Sequence, residues 1–305
     1  MKIEAVGRTE ELGARVTGVD LRSELAASDW EELTEAWNRH HLLFFPDQLQ
    51  LSTEAHVDFL SRFGPVIEER IPGDKFSYVT NALGKGTDDM NTGYREGELT
   101  PHMDYTYTNY PADIISLFCE ELPSRGSHTL FYSNVAAFES LPVELCERLR
   151  GYTIHCAHDL AAMVPDARLY REPRTCDDAP TQSHDWPLIR SHPKKPGVQL
   201  LYATMQQTER ILELSDERLD DRESRSLLAE IFEKYLYIEA NEYRHNWALG
   251  DLVVWDNMAM QHARKPCPLS EGARSFRRVA VCEAGNGITD TVEFLNLRDA
   301  SHAFS

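Results

Sequence analysis

A chain of 305 residues with 50 Asp and Glu against 31 Lys and Arg has a formal net charge of −19, which excludes the basic footprint that nucleic acid or an anionic membrane surface requires. Its six cysteines contain no Cys-x-x-Cys pair and no disulfide-framework density, as expected in a reducing cytoplasm. No apolar run is long enough to span a bilayer, and the opening Met1-Lys2-Ile3-Glu4-Ala5 lacks an apolar signal core.

No Gly/Ser/Pro linker, internal repeat or charge run divides the chain, so residues 1–305 are expected to form one domain. Ser28-Asp29-Trp30-Glu31 reads as a capping box, with Trp30, Leu33 and Trp37 at helical spacing behind it, predicting a helix over Ser28–His40. Leu42–Phe45 reads as a strand. Ser52–Phe63 repeats the helical pattern through Ala55, Phe59 and Leu60 until Gly64-Pro65 stops it. The β-branched run Ile114–Cys119 follows, and residues 164–182, with Pro165, Pro173 and Pro180, read as a lid or insertion. Asp220–Tyr235 carries a third amphipathic stripe of Leu227, Leu228, Ile231, Phe232 and Tyr235, and Leu252–Trp255 and Val279–Val281 complete the strands. The expected class is α+β, with helices packed outside a two-sheet sandwich.

Chemistry concentrates in two places. His102-Met103-Asp104 places an imidazole and a carboxylate at i and i+2, on one side of a strand, and a second imidazole comes from His262, far along the chain. Two imidazoles and a carboxylate can cap one face of an octahedral Fe(II) and leave adjacent positions open. After His262, the run Arg274-Ser275-Phe276-Arg277-Arg278-Val279-Ala280-Val281 reads as a strand in which Arg274, Phe276, Arg278 and Ala280 share one face and Arg277, Val279 and Val281 the other. Two guanidiniums beside an aromatic ring suit a buried dicarboxylate.

Together these motifs resemble the taurine dioxygenase/TfdA-like family of Fe(II)- and 2-oxoglutarate-dependent dioxygenases over nearly the whole chain. The likeness runs from Gly13-Ala14-Arg15-Val16-Thr17-Gly18 through Arg62-Phe63-Gly64-Pro65, His102-x-Asp104, Gly126-Ser127-His128-Thr129 and Trp186–Pro193 to Gly250-Asp251-Leu252-Val253-Val254-Trp255-Asp256-Asn257 and His262. The resemblance implies a distorted double-stranded β-helix, or jelly roll, with His102, Asp104 and His262 as iron ligands. It also implies that Arg278 forks the distal carboxylate of 2-oxoglutarate with help from Thr129, and that Arg274 lies near the carboxylate that chelates iron. The phase of the strand selects Arg278 over Arg277. Pro101 and Met258 depart from residues common in relatives and bear on substrate.

The implied reaction consumes 2-oxoglutarate and dioxygen, yields succinate and oxidises a small organic substrate, in the simplest case by hydroxylation. Desaturation, ring formation and hydroxylation-triggered cleavage stay open, whereas a carboxylate at 104 disfavours halogenation. Tyr94, Arg95, Tyr105, Tyr107 and Arg264 are the candidate substrate contacts, with the cations suggesting an anionic group. A homo-oligomer is the expected assembly. A non-catalytic cupin-like metal-binding module, or an oxidase or hydrolase independent of 2-oxoglutarate, would share the triad.

Overall fold

The structure is a computed structural model that describes residues 1–69, 73–85, 95–157, 183–213 and 219–284. Tyr94 and the expected lid at 164–182 lie outside them. The first half of the chain supplies strands β1 (Lys2–Ala5), β2 (Ala14–Thr17), β3 (Leu42–Phe45), β4 (Ser77–Thr80), β5 (Leu99–His102), β6 (Ile114–Glu121), β7 (His128–Ser133) and β8 (Tyr152–Ala157). The second half supplies β9 (Ser183–Pro187), β10 (Ile189–Ser191), β11 (Gln199–Leu201), β12 (Thr208–Glu213), β13 (Glu242–Asn246), β14 (Leu252–Asp256), β15 (Met260–Arg264) and β16 (Ser275–Val281). Helices are α1 (Ala27–His40), α2 (Thr53–Ser61), α3 (Asn134–Glu139), α4 (Val143–Leu149) and α5 (Asp221–Ile231).

A seven-stranded sheet runs β1-β2-β3-β14-β6-β16-β4, antiparallel throughout except where β2 meets β3, and a four-stranded antiparallel sheet runs β13-β7-β15-β5. β12-β8-β9 and the β10-β11 pair form two smaller sheets. Within the large sheet β14 (LVVWD) and β16 (SFRRVAV) are buried at every position, whereas the edge strand β1 is mostly exposed. From these strands Val253, Trp255, Phe276 and Ala280 enter the core shared with the small sheet, where Phe131 of β7 lies 5.3 Å from the Trp255 ring. Leu252, Val254, Val279 and Val281 point the other way, into a core with Leu33 and Trp37 of α1 and Phe59 and Leu60 of α2. The mixed sheets and few helices agree with the expected α+β class.

Two helix starts follow the sequence and one departs from it. Ser52 caps α2 by accepting from the Ala55 amide at 3.1 Å, and Asp220 caps α5 by accepting from Arg222 and Glu223. α1 instead begins at Ala27 behind Ala26, with no side-chain cap, so the capping box expected at Ser28 does not form. Packing decides the register there: the Trp30 ring meets Phe59 and Phe63 edge-on, at 6.2 and 5.1 Å. Among the described residues no helix is long and apolar enough to cross a membrane.

Candidate active site

Strand pairing brings the two histidines together. His262 of β15 and His102 of β5 are direct antiparallel partners, and their rings lie 4.1 Å apart. Asp104 arrives differently from the alternation expected for a strand, because β5 ends at His102 and the chain turns immediately afterwards, with Tyr105 at φ 64°. Asn257 holds that turn. Its Oδ1 accepts from the Asp104 amide at 2.9 Å, and its Nδ2 donates to the Asp104 and Ala112 carbonyls, both at 2.9 Å. The turn that presents Asn257 is in turn held by Asp256, whose Oδ1 accepts from the amides of Met258 and Ala259.

The donor atoms of His102, Asp104 and His262 all lie within 4.8 Å of one another. His102 Nε2 is 3.5 Å from Asp104 Oδ1, and His262 Nε2 is 4.0 Å from Asp104 Oδ2. His102 donates from Nδ1 to the Thr100 carbonyl at 2.8 Å, which turns the Nε2 lone pair toward the centre. Burial disfavours the charged form of both imidazoles and, with His102 beside it, pushes His262 down to about 3. Burial works to raise Asp104, but Arg278 and the two histidines outweigh it and hold the carboxyl below its usual range. Two neutral imidazoles and an ionised carboxylate are the charge states that ligate a divalent cation.

Buried guanidiniums run outward from this triad: Arg278 contacts Asp104, Arg264 acts on His102, and Arg274 neighbours Arg264. Arg278 is committed to carboxylates: Nη1 donates to Asp104 Oδ2 at 2.7 Å, while Nε and Nη2 fork Glu69 at 2.8 and 2.7 Å. Glu69 is only 4% exposed and also accepts from the Tyr105 hydroxyl at 2.9 Å. Arg274 is equally buried, at 4% exposed, yet its Nε has no hydrogen-bond partner among the described residues. Its guanidinium lies 4.8 Å from the Phe276 ring, and burial together with Arg264 pushes it down to about 9. Asn81 fixes the backbone there by accepting from the Arg274 amide and donating to the carbonyls of Cys267 and Gly272.

The structure groups the expected co-substrate residues in a different pairing from the one implied by the resemblance. Thr129 stands opposite Arg264 in the β7–β15 register, and its Oγ1 accepts from Trp247 Nε1 at 2.9 Å. Trp247 in turn packs 4.5 Å from Phe276, the ring beneath Arg274. Contacts thus link Thr129 to the Arg264/Arg274 end, while Arg278 sits at the triad, bonded to Asp104 and Glu69. Arg277 leaves on the opposite face, as the strand phase requires, and donates to His56, Thr53 and the Leu51 carbonyl.

Of the candidate substrate contacts, Arg264 donates to the Gly97 carbonyl at 2.9 Å, which gives it a protein partner already. Tyr105 and Tyr107 pack edge-on at 6.3 Å beside Asp104, and Arg95 is half-buried ahead of β5. Sequence reasoning missed Glu69 and Asn257. An acidic pair at Glu68-Glu69 and an Asn after Trp255-Asp256 carry no spacing signal of their own.

The chain matches the profile described as "Taurine catabolism dioxygenase TauD, TfdA family" over residues 3–280. It is 28% identical to the (S)-phenoxypropionate/alpha-ketoglutarate-dioxygenase of Sphingobium herbicidovorans, over 85% of this chain and 88% of that one. It is also 28% identical to the pentalenolactone F synthase of Streptomyces avermitilis, over 88% and 90%. The solved structure of AAD-2 in complex with Mn(II) and N-oxalylglycine superposes with a TM-score of 0.74 at 23% identity, covering 92% of this chain and 97% of that one. A buried two-histidine, one-carboxylate centre in a chain that matches along almost its whole length leads to one conclusion: the protein belongs to the TauD/TfdA family, enzymes that depend on Fe(II), 2-oxoglutarate and dioxygen.

Proposed function

We propose that this chain is one catalytic domain, a distorted double-stranded β-helix, that couples decarboxylation of 2-oxoglutarate to succinate with oxidation, in the simplest case hydroxylation, of a small organic acid. The observation that supports the co-substrate assignment is Arg274, a buried guanidinium close to Arg264 and joined to Thr129 through Trp247 and Phe276, whose Nε has no partner among the described residues. An unpaired buried cation is costly, and a carboxylate delivered from outside removes that cost. His102, Asp104 and His262 would hold the metal, which when bound supplies the open positions where dioxygen is reduced.

The remaining roles belong to the chain itself. Arg274, with Thr129 and Arg264 beside it, receives the distal carboxylate, so that the 2-oxo acid end points to the triad. Arg278 keeps the second oxygen of Asp104 occupied, which leaves one oxygen for the metal. Trp247 and Phe276 wall that end of the site and exclude water from it. Tyr105 and Tyr107 offer an aromatic surface beside the metal for the substrate body. The name of the phenoxypropionate-acting relative supports an acid as substrate, and aryloxy acids are the first panel to try.

The test is anaerobic loading with Fe(II), then measurement of succinate formed from 2-oxoglutarate with and without panel acids. Succinate formation that one acid stimulates, and that His102→Ala, Asp104→Ala and His262→Ala each abolish in folded protein, is the expected result. Absence of succinate with every acid, or undiminished turnover in any of the three variants, would reject the reading.

A further inference from the structure

We infer that Glu69, which lies just ahead of β4 and ligates nothing itself, is a positioning residue for the metal centre, acting through Arg278 on Asp104. This rests on the metal-binding reading above.

The geometry forms a relay. Glu69 accepts Arg278 Nε and Nη2 in a fork at 2.8 and 2.7 Å, which fixes the plane of the guanidinium, and the remaining Nη1 then meets Asp104 Oδ2 at 2.7 Å. Glu69 is itself fixed by two further donors, the Tyr105 hydroxyl at 2.9 Å and the Ser77 hydroxyl at 3.3 Å. All three members of the Glu69–Arg278–Asp104 chain are largely buried, with side chains 3%, 9% and 18% exposed, so little solvent screens it.

Two consequences follow for a divalent cation bound at the triad. Positional: an Arg278 locked by its fork holds one Asp104 oxygen away from the metal and leaves Oδ1, the oxygen 3.5 Å from His102 Nε2, aimed into the centre. Electrostatic: a guanidinium touching a ligand carboxylate withdraws charge from it and repels the metal, and the Glu69 carboxylate on the far side of Arg278 offsets that charge. Without Glu69 the guanidinium keeps its full charge against Asp104 and loses the fork that orients it. Both effects weaken metal binding. The aliphatic neighbours of a merely space-filling residue would produce neither.

The test is Co(II) binding to the full chain, by calorimetry and by the visible ligand-field spectrum, with thermal melting of the metal-free protein alongside. Glu69→Gln keeps the shape and removes the charge. It should weaken Co(II) binding at least tenfold and alter the ligand-field bands. Tyr105→Phe, which removes only one tether from Glu69, should weaken binding two- to fivefold and serves if Glu69→Gln does not fold. Glu69→Gln, or in its place Tyr105→Phe, that melts lower but binds Co(II) like the parent with the same spectrum would make Glu69 structural only and overturn the inference. A parent chain that binds no Co(II) would instead overturn the metal-centre reading.

Discussion

Replacing Arg274 by Met keeps most of the aliphatic stem over Phe276 and deletes the charge, and its two effects should have opposite signs. The guanidinium is 4% exposed, has no partner for its Nε among the described residues and lies close to Arg264, so burial and a like charge both oppose it. Deleting it should leave melting of the 2-oxoglutarate-free protein unchanged or raise it. With co-substrate present, the same deletion strands a buried carboxylate without its cation, a loss of about 2–5 kcal/mol, or roughly 30- to 5000-fold in Kd. Arg278→Met makes the contrast. Its removal takes away the cation between the buried carboxylates of Glu69 and Asp104, so the cost, about 3–5 kcal/mol for a broken buried pair, falls first on folding. The assay is anaerobic titration of 2-oxoglutarate into the Mn(II)-loaded protein by calorimetry, with melting of the ligand-free proteins in parallel. A 2-oxoglutarate Kd within threefold of the parent in Arg274→Met, or a larger loss of affinity in a fully stable Arg278→Met, would refute the assignment of the distal carboxylate to Arg274.

Three other outcomes are expected. Asn257→Ala removes the side chain that ties the Asp104 turn to Ala112, and should cost about 1–3 kcal/mol in denaturant unfolding while weakening Co(II) binding. Unaltered binding in that variant would show that the turn holds itself. Arg277→Ala should lower stability by about 3 kcal/mol, because it removes the donor to His56 Nδ1, Thr53 and the Leu51 carbonyl and the cation facing Glu120. Its 2-oxoglutarate affinity should stay at the parent level, since the residue faces α2. Burial first, and Lys195 next, push His41 down to about 3 from an ordinary 6.5. A lowered folded-state pKa means that the unfolded chain binds the proton first, so its stability contribution is intact above pH 6.5 and is lost as pH falls from there toward 3, at up to about 1.4 kcal/mol per pH unit. Denaturant midpoints of the metal-free protein between pH 7 and 5 should therefore fall less steeply in His41→Gln than in the parent, and equal slopes would exclude His41 as a source.

The sequence alone determined whatever depends on local periodicity or on residue type in a fixed spacing. The phase of β16 put Arg274 and Arg278 on one face and Arg277 on the other because side chains alternate along a strand, and the observed contacts of these arginines divide in that way. The helices over 53–61 and 221–231 were legible for the same reason, each having a polar cap ahead of an apolar stripe. The two histidines and the carboxylate were legible as a chemical set, although their meeting depends on the direct pairing of β5 with β15. Tertiary structure decided the rest. Asp104 reaches the centre through a turn held by Asn257, from a distant segment, and α1 starts where Trp30 packs, ahead of the Ser28 box. Thr129 lies with Arg274 because Trp247, just past β13, bonds Thr129 and packs on Phe276 of β16, a contact that no local pattern encodes. Glu69 is the clearest case: an acidic pair such as Glu68-Glu69 reads as surface in any sequence, and only the arrival of Arg278 from β16 and Tyr105 from beyond β5, supplying donors, makes its burial affordable and gives it a role.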